Sequence, residues 1–118
     1  GTTYGLRYGL DVLRRNGLQS HSICLIGGGS KSAVWRQIVA DIMNTPVICT
    51  GQSEAAALGA AIQAAWCTSW ANGHEHSLAD VCERCVKLDP ASETLPIAGN
   101  VAASQLAYER YRRQVATL

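Results

Sequence analysis

The sequence has little charge of either sign and no long basic run. Its 118 residues contain ten Lys and Arg and nine Asp and Glu, which gives a formal net charge of +1. No basic run is longer than the short group Arg110, Arg112 and Arg113. A nucleic-acid-binding surface needs a larger cluster of cations to neutralise phosphates, so we predict no nucleic-acid partner.

The chain also lacks any apolar run that approaches the roughly 18 residues needed to cross a bilayer. No charged segment followed by an apolar segment opens it, so no secretory signal is recognised. We therefore predict a cytoplasmic protein with no membrane partner. The five cysteines are an odd number, and Cys24 and Cys49 lie in apolar runs, which favours reduced thiols over disulfides.

Length and hydrophobicity indicate one globular domain. A chain of 118 residues is the size of a single domain, and 47% hydrophobic residues are enough for a core. The sequence begins at Gly1 without Met, and its first residues follow a helical pattern. We therefore expect that it begins inside a larger protein.

Hydrophobic spacing predicts an α/β organisation. Apolar residues three and four apart indicate helices, and short apolar runs indicate strands. Helices are predicted over residues 3–16, 31–43, 54–66, 77–85 and 103–115, and strands over residues 22–26 and 46–49. Ser53 is expected to cap the third helix, while Pro90 and Pro96 mark a loop. Strand, glycine turn, helix and strand make one βαβ unit.

Side-chain size and strand number predict how these elements pack. The third helix is nearly all alanine with Gly59 inside it, so neighbouring backbones can approach closely and we expect it to be buried. The last helix aligns Ala107, Tyr111 and Val115 on one stripe. Two buried strands are too few for an independent sheet, so we expect further strands from preceding sequence.

The glycine turn, residues 27–30, carries the clearest chemical signal. Three glycines let the main chain adopt positive φ and let a ligand approach without meeting a Cβ. Free amides at the start of the following helix attract anions, and Ser30 and Ser32 add hydroxyl donors. A nucleotide is the natural ligand. The competing interpretation is a tight turn in which Ser30 caps the helix.

Two common nucleotide motifs do not fit this turn. A phosphate-binding P-loop requires glycine immediately before its Lys-Ser pair, but Ser30 precedes Lys31 and Ser32. In the dinucleotide fingerprint the third glycine would fall on Ser32 or Ala33. These departures argue against a P-loop enzyme and against a nicotinamide oxidoreductase.

A longer pattern resembles a known family. Gly-Gly-Gly-x-x-Ser-x-x-Trp-x-Gln over residues 27–37, then Asp41-Ile42, then Glu-Ala-Ala-Ala-Leu-Gly-Ala-Ala over residues 54–61, is similar to the C-terminal domain of the FGGY carbohydrate kinases. The resemblance covers nearly the whole chain, through Tyr108-x-x-Tyr111-Arg112. It implies a ribonuclease-H-like domain of the actin-like ATPase type, an incomplete C-terminal nucleotide-binding fragment over residues 1–118, with a βαβ core and several helices.

The resemblance also implies a site. ATP should bind in a cleft between two domains, with Gly28 and Gly29 against the nucleotide and Ser32 near the adenosine. Gly27 is expected only to make the turn. Trp35 belongs to the motif, but its place on the apolar stripe of a helix favours a packing role.

No catalytic residue is assigned to this chain. In the family, the catalytic aspartate, the sugar contacts and the N-terminal phosphate motif precede this segment, and the Mg²⁺ ligands are expected outside it as well. Helix-surface or loop positions explain Asp11, Asp41, Asp80 and Asp89. We therefore expect the fragment alone to be inactive.

The resemblance implies a sugar substrate. The runs around the glycine turn and the alanine-rich helix are typical of members that phosphorylate D-xylulose at its 5-hydroxyl. Members acting on ribulose, fuculose, rhamnulose, gluconate or glycerol share the nucleotide domain, so another polyol stays open. A non-catalytic association domain of the same fold is the alternative of a different class. Whether the protein forms a homodimer is left open.

A second candidate site combines His74-x-His76 with Cys82-x-x-Cys85, which are ligand types that zinc prefers. The spacing does not match a zinc finger. Cys82 and Cys85 fall three apart on a predicted helix, one face of which must pack anyway. We therefore predict no metal site here.

Overall fold

The computed structural model describes residues 1–52, 54–74 and 76–117. Within these ranges the chain forms five α-helices and three strands, with a short 3₁₀ helix, Gly28–Lys31, after the first strand. The α-helices are α1 (Thr2–Arg15), α2 (Ala33–Met43), α3 (Ala55–Ala71), α4 (Leu78–Cys85) and α5 (Ala98–Val115), and the strands are β1 (Ile23–Leu25), β2 (Val47–Thr50) and β3 (Leu88–Thr94). Helix α5 begins five residues earlier than its apolar pattern predicts.

The sheet is three-stranded, in the order β1-β2-β3. Strands β1 and β2 are parallel, with Ile23 opposite Val47 and Leu25 opposite Cys49. Helix α2 connects them, which confirms the predicted βαβ unit. The carboxyl ends of β1 and β2 therefore lie at the same edge of the sheet, next to the glycine turn.

The predicted loop around Pro90 is wrong, because residues 88–94 form β3, antiparallel to β2. Proline lacks an amide hydrogen, and β3 accommodates it by lying at the edge of the sheet. The register shifts between Val47 and Cys49, and there the Cys49 amide donates to the Ser92 hydroxyl at 2.8 Å. At this point the hydroxyl of a side chain replaces a main-chain carbonyl as the acceptor for the Cys49 amide. Sequence patterns of strands do not predict such a replacement.

The core lies between α2 and the sheet. Val39, Ala40, Met43 and Val47 are fully or almost fully buried and form one cluster. Side chains that are partly buried pack around it, namely Leu10, Ile23, Leu25 and Trp35. The expected packing role of Trp35 is confirmed.

Helices α1 and α5 meet through an aromatic contact. The Tyr108 ring is 2% exposed and stacks on Tyr4, with 6.0 Å between ring centroids. Its hydroxyl donates to Asp11 at 2.7 Å, and the Arg7 guanidinium lies 4.2 Å from its centroid. Burial and the bond to Asp11 raise the pKa of Tyr108 to about 12. The predicted stripe on α5 is only half-buried and omits this residue.

The expectation that the alanine-rich helix is buried is wrong for this chain. Helix α3 packs mainly on α4, and Ile62 is the one buried residue among those described on α3. The eight-residue α4 can cover only one face of it. Since a helix side is buried only where a neighbour covers it, the other faces stay exposed. Glu54 is the N-cap, and the predicted cap Ser53 lies outside the described residues.

Cys24 is also exposed, against expectation, although Cys49 on the central strand is buried as predicted. Strand β1 is an edge strand, and Cys24 lines an open cavity between the sheet and helices α3 and α4, so its side chain stays accessible. All five cysteines are free thiols, which agrees with the prediction of reduced cysteines.

Asp41 is buried at 5% exposure, so its assignment to a helix surface is wrong. Its carboxylate accepts hydrogen bonds from the Ile97 amide at 2.7 Å, from Asn100 at 2.8 Å and from Gln37 at 2.9 Å. Burial alone would raise the pKa of Asp41, but the bonds from Ile97, Asn100 and Gln37 together lower it below 3.8. This carboxylate therefore fastens the start of α5 to α2.

We expect Asp41→Asn to lower the free energy of unfolding by about 2 kcal/mol at neutral pH, because hydrogen bonds to a charged acceptor are lost. The lowered pKa means that the carboxylate stabilises the fold above its unfolded-state pKa and loses that contribution as pH falls through the folded-state pKa. Urea unfolding at about pH 7 and pH 3 should show a smaller difference between the two proteins at the lower pH. Glu83→Gln, on exposed α4 surface, is the control. An equal difference at both pH values would contradict this role.

Candidate functional site

The glycine turn follows β1 and Ile26 and begins with a residue of positive φ. Gly27 has φ 81° and ψ −172°, a conformation available essentially only to glycine, so its expected role in making the turn is confirmed. The 3₁₀ helix Gly28–Lys31 follows, and Ser32 then leads into α2. The turn therefore stands at the carboxyl edge of the parallel strands, where α/β sheets generally bind ligands.

Gly28 and Gly29 differ in what surrounds them. No heavy atom lies within 4 Å of the position that a Cβ on Gly28 would occupy. A Cβ on Gly29 would lie only 2.9 Å from Cδ1 and 3.0 Å from Nε1 of the Trp35 indole. The main chain is thus open to a ligand at Gly28, whereas the missing side chain of Gly29 makes room for a tryptophan.

Ser32 is the N-cap of α2. Its hydroxyl oxygen accepts a hydrogen bond from the Trp35 amide at 3.2 Å. A serine hydroxyl that accepts one bond can still donate its own hydrogen. The amides of Ala33 and Val34, in the first turn of α2, have no intrahelical acceptor and carry the positive end of the helix dipole. This end of α2 can therefore receive an anionic or hydroxyl-bearing group.

Ser30 does not cap α2, contrary to the competing interpretation of the turn. It is buried, and its hydroxyl donates to the Gly27 carbonyl at 2.7 Å. Its own carbonyl accepts a bond from Arg36 Nη1 at 2.7 Å, and the buried Cys49 thiol lies 3.7 Å away. These contacts hold the turn from its inner side. Sequence reasoning missed Arg36 here, because helical periodicity places it on a polar face.

Two cavities flank the turn at this edge of the sheet. One, of about 430 Å³, is lined largely by apolar groups that include Cys24, Ile26, Leu58 and Ile62. The other, of about 240 Å³, has polar walls that include Lys31, Arg36, Thr50 and Asp89. The apolar walls of the first cavity suit a flat ring, and the polar walls of the second, which include Lys31 and Arg36, suit an anionic group.

The structure does not assemble the second candidate site. In the described ranges, no group of three or more His, Cys, Asp or Glu side chains is placed to hold a metal ion. The His74 and His76 ring centroids lie 6.3 Å apart, while Cys82 faces the apolar cavity.

In the same ranges, no helix is both long and apolar enough to span a membrane.

Fold and site together define an α/β domain of the actin-like ATPase type, and two solved structures carry the same fold. The gluconate kinase from Lactobacillus acidophilus superposes with a TM-score of 0.79 at 22% sequence identity, covering 98% of this chain and 22% of that one. The xylulose kinase from Rhodospirillum rubrum superposes with a TM-score of 0.75 at 25% identity, covering 99% and 22%.

The chain belongs to the FGGY family of carbohydrate kinases. The family description that matches residues 1–68 is "FGGY family of carbohydrate kinases, C-terminal domain". A protein of Haemophilus influenzae named xylulose kinase is 49% identical over 116 residues. That alignment covers 98% of this chain but only 22% of the relative, so the chain spans less than a quarter of the length of this relative.

Loss of the Ser32 cap should be measurable in the absence of any ligand. We expect Ser32→Ala to lower the free energy of unfolding by about 1 kcal/mol, because the Trp35 amide loses its acceptor. Ser77→Ala is the matched comparison, since the Ser77 hydroxyl caps α4 by accepting from the Asp80 amide at 3.1 Å. Urea unfolding should give similar losses for both variants and a smaller one for Ser32→Thr. A loss confined to Ser77→Ala would exclude the capping role of Ser32.

Proposed function

We propose that residues 1–118 are the C-terminal nucleotide-binding domain of an ATP-dependent sugar kinase. The observation that carries this proposal is the open main chain of Gly28 at the carboxyl edge of the sheet, beside the N-terminus of α2. Membership of the FGGY family supports the kinase class. The longer protein to which this chain would belong is called the complete enzyme below.

The residues of the turn fit ATP. Gly28 would contact the nucleotide through its main chain, with Gly29 beside it and the Ser32 hydroxyl as a donor towards the adenosine. The apolar cavity next to Ile26 suits a purine ring, because burial of the ring's apolar surface lowers the free energy of binding. ATP supplies the phosphoryl group, and this domain binds and orients it. Orientation alone contributes strongly to phosphoryl transfer, because little covalent chemistry is left for the protein.

The sugar is proposed to be D-xylulose, phosphorylated to D-xylulose 5-phosphate. The support is the 49% identity to a xylulose kinase over nearly the whole chain. Gluconate is the second candidate substrate, because a gluconate kinase has the same fold. Sugar contacts, the catalytic base and the Mg²⁺ ligands are proposed to lie outside this chain, so residues 1–118 alone should not phosphorylate a sugar. A cytoplasmic location stays a prediction.

Substitution of Gly28 tests the nucleotide site. In the complete enzyme, Gly28→Val should raise the KM for ATP at least tenfold, roughly 1.4 kcal/mol, because a side chain would occupy the ligand's approach. The KM for the sugar and the melting temperature should stay close to wild type, since the added atoms meet no protein atom within 4 Å of the Cβ. Steady-state kinetics with each substrate varied in turn and thermal unfolding provide the readouts.

The matched control is Gly9→Val. Gly9 lies in α1, and a Cβ there also meets nothing within 4 Å. This variant should leave the KM for ATP unchanged. An unchanged KM for ATP in Gly28→Val would contradict the proposal that the nucleotide binds at the glycine turn.

The sugar assignment is tested with the complete enzyme at saturating ATP. D-xylulose, D-ribulose, gluconate and glycerol are compared by kcat/KM, with ADP release as the readout. We expect D-xylulose to exceed the others by at least about 100-fold, because a site that binds substrate hydroxyls discriminates against analogues that leave its polar groups unpaired. A higher kcat/KM for gluconate would support the second candidate instead.

A further inference from the structure

We propose that Trp35 and Arg36 are positioning residues for the nucleotide turn, and that position 29 is glycine to admit the Trp35 indole. This inference rests on the proposed function, since it assigns separate tasks to the two glycines of the nucleotide site. Gly28 leaves space for the ligand, and Gly29 leaves space for the protein's own side chain.

The indole of Trp35 lies against the main chain of Gly29. Its Cδ1 lies 2.9 Å from the place where a Cβ would stand, closer than real Cβ contacts permit, and its Nε1 lies 3.0 Å from the same place. The same side chain packs on the core cluster with Val39 and Met43. An indole held by the core cannot swing away freely, because packed interiors resist displacement. Trp35 therefore packs between the core and the Gly29 peptide and restricts the movement of that peptide.

Arg36 holds the next peptide of the turn. Its Nη1 donates to the Ser30 carbonyl at 2.7 Å, and this carbonyl also lies 3.7 Å from the Cys49 thiol. Its Nε is buried and has no hydrogen-bond partner within the described part of the chain. An unsatisfied buried donor costs free energy, which an arginine extended into water would avoid. The cost is consistent with a requirement for Arg36 at this place.

Both side chains leave the first turn of α2, which Ser32 caps. Gly29 and Ser30 are thus fixed to the helix whose N-terminus faces the proposed ligand. With the indole beneath one peptide and the guanidinium on the next, the turn keeps the shape in which Gly28 is open. Displacement of either side chain should weaken ATP binding without any contact between that side chain and ATP.

A double-mutant cycle in the complete enzyme tests this coupling. Gly29→Ala should raise the KM for ATP about tenfold, because the new methyl group collides with the indole. Trp35→Leu alone should raise it about threefold. In Gly29→Ala/Trp35→Leu the collision is gone, so the KM should fall back to that of Trp35→Leu. The control pair is Gly28→Ala with and without Trp35→Leu, in which the two effects should multiply.

Arg36 is tested by a graded pair of substitutions. Arg36→Met removes the donor to Ser30 and should raise the KM for ATP about fivefold to tenfold, with the KM for the sugar unchanged. Arg36→Lys keeps one donor and should recover part of that loss. A purely structural role would instead lower the melting temperature and the active fraction while leaving both KM values alone.

Multiplicative effects of Gly29→Ala and Trp35→Leu would overturn the assignment of Gly29. Coupling seen only in the melting temperature, with the KM for ATP unmoved, would overturn the positioning role while Gly28→Val still raises that KM. If Gly28→Val also leaves the KM for ATP unchanged, the proposed function itself has failed. The Gly28 arm therefore separates the two failures.

Discussion

Helix α2 lies on the sheet with Val39, Ala40 and Met43 against Val47, and this apolar contact fixes the other elements. The start of the helix carries the glycine turn, and its middle holds α5 through the buried carboxylate of Asp41. Helix α1 packs on the same helix and closes the cluster with Leu10. A rotation of α2 on the sheet would move all three contacts together.

The same arrangement explains how one short segment combines stability with openness. On its inner side the glycine turn is closely packed, with Ser30 buried and bonded to Gly27 and Arg36. On its outer side, a Cβ on Gly28 would meet no protein atom within 4 Å. A turn that was open on both sides would be more flexible, and it would bind a ligand more weakly because flexible main chain gives up conformational entropy on binding. Contacts on the inner side therefore hold the turn in the conformation that leaves the main chain of Gly28 open to a ligand.

The surfaces that this chain leaves exposed are uneven. Ile26 is 54% exposed next to the glycine turn, and α3 presents mainly small side chains on its uncovered faces. In the proposed kinase, ATP and the remainder of the complete enzyme would meet these surfaces. Large apolar side chains are exposed on other elements as well, among them Leu6 and Leu13 on α1, Trp70 on α3 and Leu106 on α5.

By itself the sequence determined the βαβ order, the position of the glycine turn and the family resemblance. These features depend on neighbouring residues, namely the period of apolar side chains in α2 and the backbone freedom of Gly27. The tertiary structure alone decided the burial of Asp41, whose partners Ile97 and Asn100 lie 56 and 59 residues away. It also decided that 88–94 is a strand, which the bond from Cys49 to Ser92 supports across 43 residues.

The site divides in the same way. Its residue types are legible in the sequence, since three glycines and Ser32 before a helix predict open main chain and free donors. The difference between Gly28 and Gly29 is not legible, because both are glycine and only the direction of the Trp35 indole separates them. A side chain's direction depends on the core it packs against, and the core exists only once distant elements have met.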